Sequence, residues 1–128
     1  MNDNRNHFIV KNEIVKLGDV IEVKEGFFES QAKTIAGKYK LQLVSLKDID
    51  VVIKGIANRS FFYWEDGSHL NNIKENFRKT PPVILEELNG KYYSVDGHHR
   101  ITVANELGLN NILAFVIKVN KLTYTRYS

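Results

Sequence analysis

The 128-residue sequence has no cysteine, and this absence excludes several classes of function. Thiol catalysis, a disulfide framework and thiolate zinc sites all require that residue. A chain without cysteine is compatible with a reducing compartment. The polar N-terminal stretch MNDNRNHF has no apolar run behind it, so it does not look like a signal peptide. We therefore expect a cytoplasmic protein.

Long apolar runs and a strong charge excess are also missing. No run approaches the length that crosses a membrane, so we expect no membrane partner. The formal net charge of +3 permits an anionic partner, but the lysines are scattered and form no basic stripe. A chain of this length with 43% hydrophobic residues is sufficient for one domain with a buried core.

Proline occurs only at positions 81 and 82, and the region before this pair is rich in strand signals. The short β-branched runs of residues 7–24 predict a hairpin or small meander, and residues 39–46 alternate as a further strand. Between these strands we expect Ser30 to cap a short helix that Gly37 closes.

An aromatic cluster and a second helix follow before the prolines. The cluster allows two interpretations, a platform for stacking a base or ordinary packing, and we favour packing. Its members are Phe61, Phe62, Tyr63 and Trp64. Leu70, Ile73 and Phe77 recur at helical spacing after Ser68, a plausible N-cap, so a helix is predicted here.

The last third has the clearest pattern. Residues 82–88 and 91–95 predict two strands joined by an Asn-Gly turn, the strongest short hairpin signal in the chain. A helix is predicted over residues 98–107, with Gly108 at the position that ends such helices. The nearly continuous apolar run of residues 112–119 predicts a strand buried on both faces.

Between the second of these strands and the helix lies the sequence Asp-Gly-His-His-Arg, at residues 96–100. The first backbone N–H groups of a helix lack helical acceptors, and the helix dipole makes this end electropositive. Arg100 adds a planar fork of donors, and His98 and His99 add further donors. Gly97 would let a ligand approach the backbone. Together these features indicate an anion site, with phosphate as its natural occupant.

Structural interpretations of the same residues remain open. Asp96 could be the N-cap of the helix, and Arg100 could simply pair with Glu106 or with Asp96. The two histidines could lie at a solvated helix start. A metal site is less favoured, because adjacent side chains diverge by about 100° around a helix. His98 and His99 would therefore need another ligand, such as Asp96, and we expect no metal site built from protein ligands.

The stretch VDGHHRITVANELGLNNILAFV resembles the signature of the ParB/sulfiredoxin superfamily, in which a strand enters a Gly-x-[His/Arg]-Arg turn at a helix start. Gly97, His99 and Arg100 match that turn, and residues 107–108 match its Leu-Gly helix end. PPVILEELNGKYYSVDG resembles the family's hairpin, and LVSLKDID resembles its opening strand. The resemblance implies an α+β fold, a small mixed sheet with packed helices. It divides the chain into a β-rich extension (1–40), a ParB/sulfiredoxin-like domain (41–119) and a tail (120–128).

What the resemblance implies about function is nucleotide or phosphate binding at this turn, through Gly97, His98, His99 and Arg100. Sulfiredoxins carry a catalytic cysteine where this chain has His98, and chromosome-partition ParB carries Glu-Arg-Arg after the glycine. The form found here is most similar to a branch of serine kinases, which implies that Asp96 is a general base and that His98 and Asp96 are catalytic. That branch also uses an upstream glutamate, where this chain offers only Asp48 or Asp50.

Three functions are compatible with these residues. The first is a phosphotransferase or NTP hydrolase that binds ATP, ADP or CTP with Mg²⁺ bridging the phosphates. The second is a DNA-binding module or nuclease, in which Arg59, Arg78 and Lys79 extend the phosphate footprint. ParB-like nucleases share the Asp-Gly-His-His-Arg form. The third is a binding-only regulatory domain. Each of them is compatible with an oligomer.

Overall fold

The computed structural model describes residues 1–29, 34–50 and 68–123. Within these ranges, the strands are β1 (His7–Val10), β2 (Glu13–Lys16), β3 (Val20–Val23), β4 (Gly37–Ser45), β5 (Ile49–Asp50), β6 (Val83–Leu88), β7 (Lys91–Asp96) and β8 (Asn111–Lys118). In the same residues, the α-helices are α1 (Ser68–Glu75) and α2 (His98–Glu106), and 3₁₀ turns cover Leu46–Asp48 and Phe77–Lys79. The predicted roles of Ser30, Arg59 and the aromatic cluster at 61–64 lie outside the described residues.

Six strands form one mixed sheet in the order β3-β4-β8-β6-β7-β5, and β1 pairs with β2 in a separate hairpin. The β6–β8 and β5–β7 pairs are parallel, and the other pairs of the sheet are antiparallel. With its packed helices, the chain has the α+β fold expected from the sequence. Strand β4 crosses the predicted boundary between residues 40 and 41 and pairs with β3, so the end of the N-terminal region is part of the main sheet.

Strand β8 lies between β4 and β6, and its residues 112–117 are all buried. One face packs against α2 through Ile101, Val103 and Ala104. The other face packs with Tyr39 and with Val15 of the β1–β2 hairpin. The prediction of a strand buried on both faces is therefore confirmed, and this strand and α2 together anchor the turn that precedes the helix.

Two local predictions about backbone geometry are confirmed. Asn89 and Gly90 both have positive φ, 52° and 80°, as a tight hairpin requires. At the end of α2, Gly108 has φ 74° and its N–H donates to the carbonyl of Asn105 at 3.0 Å. The N–H of Leu109 donates to the carbonyl of Ala104, which completes a Schellman motif.

The predicted helix end at Gly37 is wrong, because Gly37 begins strand β4. Its φ of 147° is one that residues with a side chain rarely adopt, and a Cβ there would lie 2.7 Å from Cδ1 of Ile117. Gly37 pairs with Val23 in the sheet. The glycine is thus required by close packing between β4 and β8 rather than by a helix terminus.

The residues before β1 are bound to the main sheet through a buried ion pair. Asp3 receives two hydrogen bonds from the Arg5 guanidinium, at 2.8 and 2.9 Å. The backbone N–H of Leu113 in β8 also donates to the Asp3 carboxylate, at 2.9 Å. Burial raises the pKa of Asp3, but the hydrogen bonds from Arg5 and Leu113 and the charge of Arg5 outweigh it. The net pKa lies below the usual value of 3.8.

This lowered pKa predicts a pH-dependent contribution to stability. A carboxyl with a lower pKa in the folded state stabilises it fully above the unfolded pKa and loses that contribution as pH falls through the folded pKa. We expect the free energy of unfolding to fall below about pH 4, and less steeply in Asp3→Asn than in the wild type. Urea unfolding between neutral pH and pH 2 measures both curves. Parallel curves would show that Asp3 is not a source of the acid sensitivity.

Candidate functional site

Gly97 is the single residue between β7 and α2, and its backbone has a positive φ angle. It is the N-cap residue of α2, with φ 108° and ψ 25°. A Cβ at this position would lie 2.7 Å from Cβ of Val83 and closer still to Cγ1 of the same side chain. Val83 begins strand β6. Packing against β6 therefore explains the glycine without any ligand, which differs from the ligand approach expected from the sequence.

The start of α2 carries no side-chain cap, so the interpretation of Asp96 as a helix cap is wrong. The Asp96 carboxylate instead accepts a hydrogen bond from Nη2 of Arg100 at 2.9 Å. The alternative pairing of Arg100 with Asp96 is thus confirmed, while Glu106 pairs with Lys74 at 2.9 Å. Without a capping side chain, the first turn of α2 keeps the electropositive character of a helix N-terminus.

The Arg100 guanidinium is held by three acceptors, and the side chain as a whole is 13% exposed. Its Nη1 donates to the carbonyl of Pro81 at 2.6 Å and to that of Pro82 at 3.0 Å, while Nη2 donates to Asp96. Burial lowers the pKa of Arg100, and the neighbouring Asp96 carboxylate acts in the opposite direction. Arginine still keeps its proton at neutral pH. A fixed positive charge therefore lies beside the helix start.

The two histidines have different environments. His98 is buried, and its Nε2 is hydrogen-bonded to Oγ of Ser94 in β7 at 2.9 Å. His99 is partly exposed. The structure thus brings Asp96, Gly97 and Arg100 together at the turn and places the ring of His98 in the interior. Sequence reasoning missed Ser94, because a contact between a strand residue and the helix that follows has no fixed spacing.

Three basic residues were predicted to extend the phosphate footprint, and the structure describes two of them. Arg78 and Lys79 are exposed on the 3₁₀ turn directly before the Pro81–Pro82 loop. Nη1 of Arg78 donates to Oδ1 of Asn4 at 2.5 Å. The third predicted residue of this footprint, Arg59, lies outside the described residues.

Within residues 1–29, 34–50 and 68–123, no group of three or more histidine, aspartate or glutamate side chains is placed to hold a metal ion. Across the same ranges, the helices are too short or too polar to cross a bilayer. At this turn, Asp96 is the carboxylate closest to the helix start, and it is already bound to Arg100.

Comparison with known proteins supports a relationship that includes this turn. Residues 69–128 match the ParB N-terminal domain family. The fold is similar to that in the crystal structure of sulfiredoxin from Arabidopsis thaliana, with a TM-score of 0.51 and 23% identity over 62% of this chain and 85% of that one. A conserved hypothetical protein from Pyrococcus furiosus aligns with a TM-score of 0.44 and 17% identity, over 63% of this chain and 33% of its own. No curated protein matches the chain.

Proposed function

We propose that residues 96–100 bind the phosphate groups of a nucleotide, because residues 69–128 match the ParB N-terminal domain family and the fold is similar to that of a sulfiredoxin. One observation carries the proposal: α2 starts without a side-chain cap, and a fixed guanidinium lies beside that start. Backbone N–H groups, the helix dipole and an adjacent arginine are the combination that phosphate groups prefer.

Asp96 and Arg100 would change partners when a phosphate binds. Nη2 of Arg100 donates to Asp96, and a phosphate oxygen is a competing acceptor for the same N–H group. Binding would then release the Asp96 carboxylate from Arg100. The released carboxylate could act as general base on a hydroxyl group or a water molecule during phosphoryl transfer or NTP hydrolysis.

The histidines would contribute in different ways. His99 is partly exposed on the first turn of α2, but its Nε2 atom is buried, so its ring would contact a bound phosphate through Nδ1. His98 is buried against Ser94, so we assign it the task of holding the turn in place rather than contacting the ligand. In this proposal His98 therefore has a structural role, in place of the catalytic role that the resemblance implies.

The residues at the turn fit a magnesium ion delivered with the nucleotide. Mg²⁺ keeps several water ligands and binds readily to substrate phosphates, so the phosphates of the nucleotide would hold it and leave Asp96 available as the base. The ion would neutralise phosphate charge during transfer. Arg100 and the N-terminus of α2 would orient the phosphates, and Asp96 would accept the proton.

A thermal-shift titration with ATP, ADP, CTP and GTP, each with and without Mg²⁺, tests the proposal. Ligand binding to the folded state raises the unfolding midpoint by mass action, so we expect at least one nucleotide to raise it. Asp96→Asn should keep the shift and lose turnover of that nucleotide. Glu106→Gln, at the other end of α2, is the matched control and should keep both. No shift with any nucleotide at millimolar concentration would refute nucleotide binding.

DNA is the second candidate ligand, favoured by the exposure of Arg78 and Lys79 next to the loop that Arg100 contacts. Adding a duplex DNA arm to the same titration separates the two functions. If the site binds DNA through phosphate contacts, affinity for the duplex will fall steeply as the salt concentration rises. No single mononucleotide would then be preferred. A binding-only domain would bind a nucleotide without turning it over.

A further inference from the structure

Two arginines from distant parts of the chain bind the same short loop, residues 80–82. Nη1 of Arg5 donates to the carbonyl of Thr80 at 2.5 Å. Nη1 of Arg100 donates to the next two carbonyls, those of Pro81 and Pro82. Three consecutive carbonyl groups are therefore oriented by two guanidinium groups. Prolines lack an N–H donor, so at positions 81 and 82 the main chain can be held only through its carbonyls.

Arg5 is itself held rigidly. Its guanidinium makes a two-pronged pair with the Asp3 carboxylate and lies 5.3 Å from the ring centre of Phe77. The Arg5 and Asp3 side chains are only 10% and 3% exposed. Asp3 is bound in turn to the N–H of Leu113, one residue before the first β8 residue that pairs with β6. A continuous series of short contacts thus leads from the central strand to the 80–82 loop.

Two like charges near one another repel, and a counter-charge beside each of them offsets that repulsion. Here Asp3 is the counter-charge of Arg5, and Asp96 is that of Arg100. The loop carbonyls add acceptors for both guanidinium groups. This arrangement lets two cations share a loop beside the start of α2, with each of them in a defined orientation.

We propose that Arg5 is a positioning residue of the phosphate site: it fixes the 80–82 loop, and the loop in turn fixes the Arg100 guanidinium beside the N-terminus of α2. This inference rests on the proposed function of residues 96–100 and adds a residue that lies outside the family match. Its consequence is that Arg5 affects phosphate affinity without touching the ligand.

The test compares Arg5→Met and Arg5→Lys with the wild type, using the full chain. Met retains part of the apolar stem, and Lys retains the charge but cannot reproduce the forked contacts with Asp3 and Thr80. Lys74→Met is the matched control, since Lys74 forms an exposed ion pair with Glu106 and is not part of the proposed phosphate site. Two quantities are measured: nitrogen-15 NMR signals of the Arg100 side chain and the dissociation constant for ATP with Mg²⁺.

We expect both Arg5 variants to broaden or average the Arg100 side-chain signals and to weaken ATP binding about tenfold, the scale of losing one charged hydrogen bond. Lys74→Met should leave both quantities unchanged. Retention of wild-type signals and affinity in Arg5→Lys would overturn the inference, because charge alone would then suffice. If Arg5→Met does not fold, Arg5→Lys still gives the decisive comparison.

The two proposals fail in distinguishable ways. A wild-type chain that binds none of ATP, ADP, CTP and GTP contradicts the proposed function, whereas altered Arg100 signals in the Arg5 variants would still support the structural link. Unchanged Arg100 signals in both Arg5 variants contradict the positioning role, even where ATP binds the wild type.

Discussion

Replacing Gly97 with alanine is expected to lower the free energy of unfolding by about 2–5 kcal/mol, because strain and overpacking act together at this residue. Its φ of 108° is in the left-handed region that favours glycine. The added Cβ would also collide with Val83, a 1% exposed residue in the core that has little freedom to move. The start of α2 would shift, so nucleotide affinity should fall as well.

Urea unfolding measures this loss, and the chain offers a matched control. Gly108→Ala places a methyl group at another position of positive φ, 74°, where nothing lies within 4 Å. The excess loss in Gly97→Ala over Gly108→Ala therefore isolates the collision with Val83. Val83→Ala removes Cγ1, so its cost should be smaller in the Gly97→Ala background than in the wild type. Equal losses in the two glycine variants would mean that the collision is relieved without cost.

Arg100→Ala is expected to abolish nucleotide binding and to lower the free energy of unfolding by about 2–4 kcal/mol, the range for breaking a buried charged network. The change removes the donors to the carbonyls of Pro81 and Pro82. It also leaves the partly buried Asp96 carboxylate without the guanidinium. The 80–82 loop and Asp96 would then no longer be joined through one guanidinium group.

Calorimetric titration and urea unfolding of the same samples separate the two effects. Arg100→Lys keeps a positive charge but cannot span the loop carbonyls and Asp96 with a planar fork, so we expect intermediate affinity and stability. Lys74→Met is the control, because its ion pair with Glu106 is well exposed and should contribute about 1 kcal/mol or less. An Arg100→Ala protein as stable as Lys74→Met would show that the network contributes little.

The order of elements around the turn was predictable because the signals are local. Asn89 and Gly90 supply the positive φ angles of a hairpin turn, and Gly108 ends α2 for the same conformational reason. Continuous apolar residues over 112–117 identify a strand buried on both faces. Gly37 shows where this reasoning fails: a glycine also suits a strand that approaches a neighbour closely, and its sequence context resembled a helix end.

By itself, the sequence determined that a strand, the Asp-Gly-His-His-Arg turn and a helix follow one another, and that this turn is the candidate phosphate site. Only the tertiary structure decided what each residue of the turn contacts. Val83 fills the space beside Gly97, Ser94 holds His98 inside, and the 80–82 loop holds Arg100 together with Arg5. The physical reason is that turns and helix ends depend on neighbouring residues, whereas burial and ion-pair partners depend on strand register and on segments up to 110 positions apart.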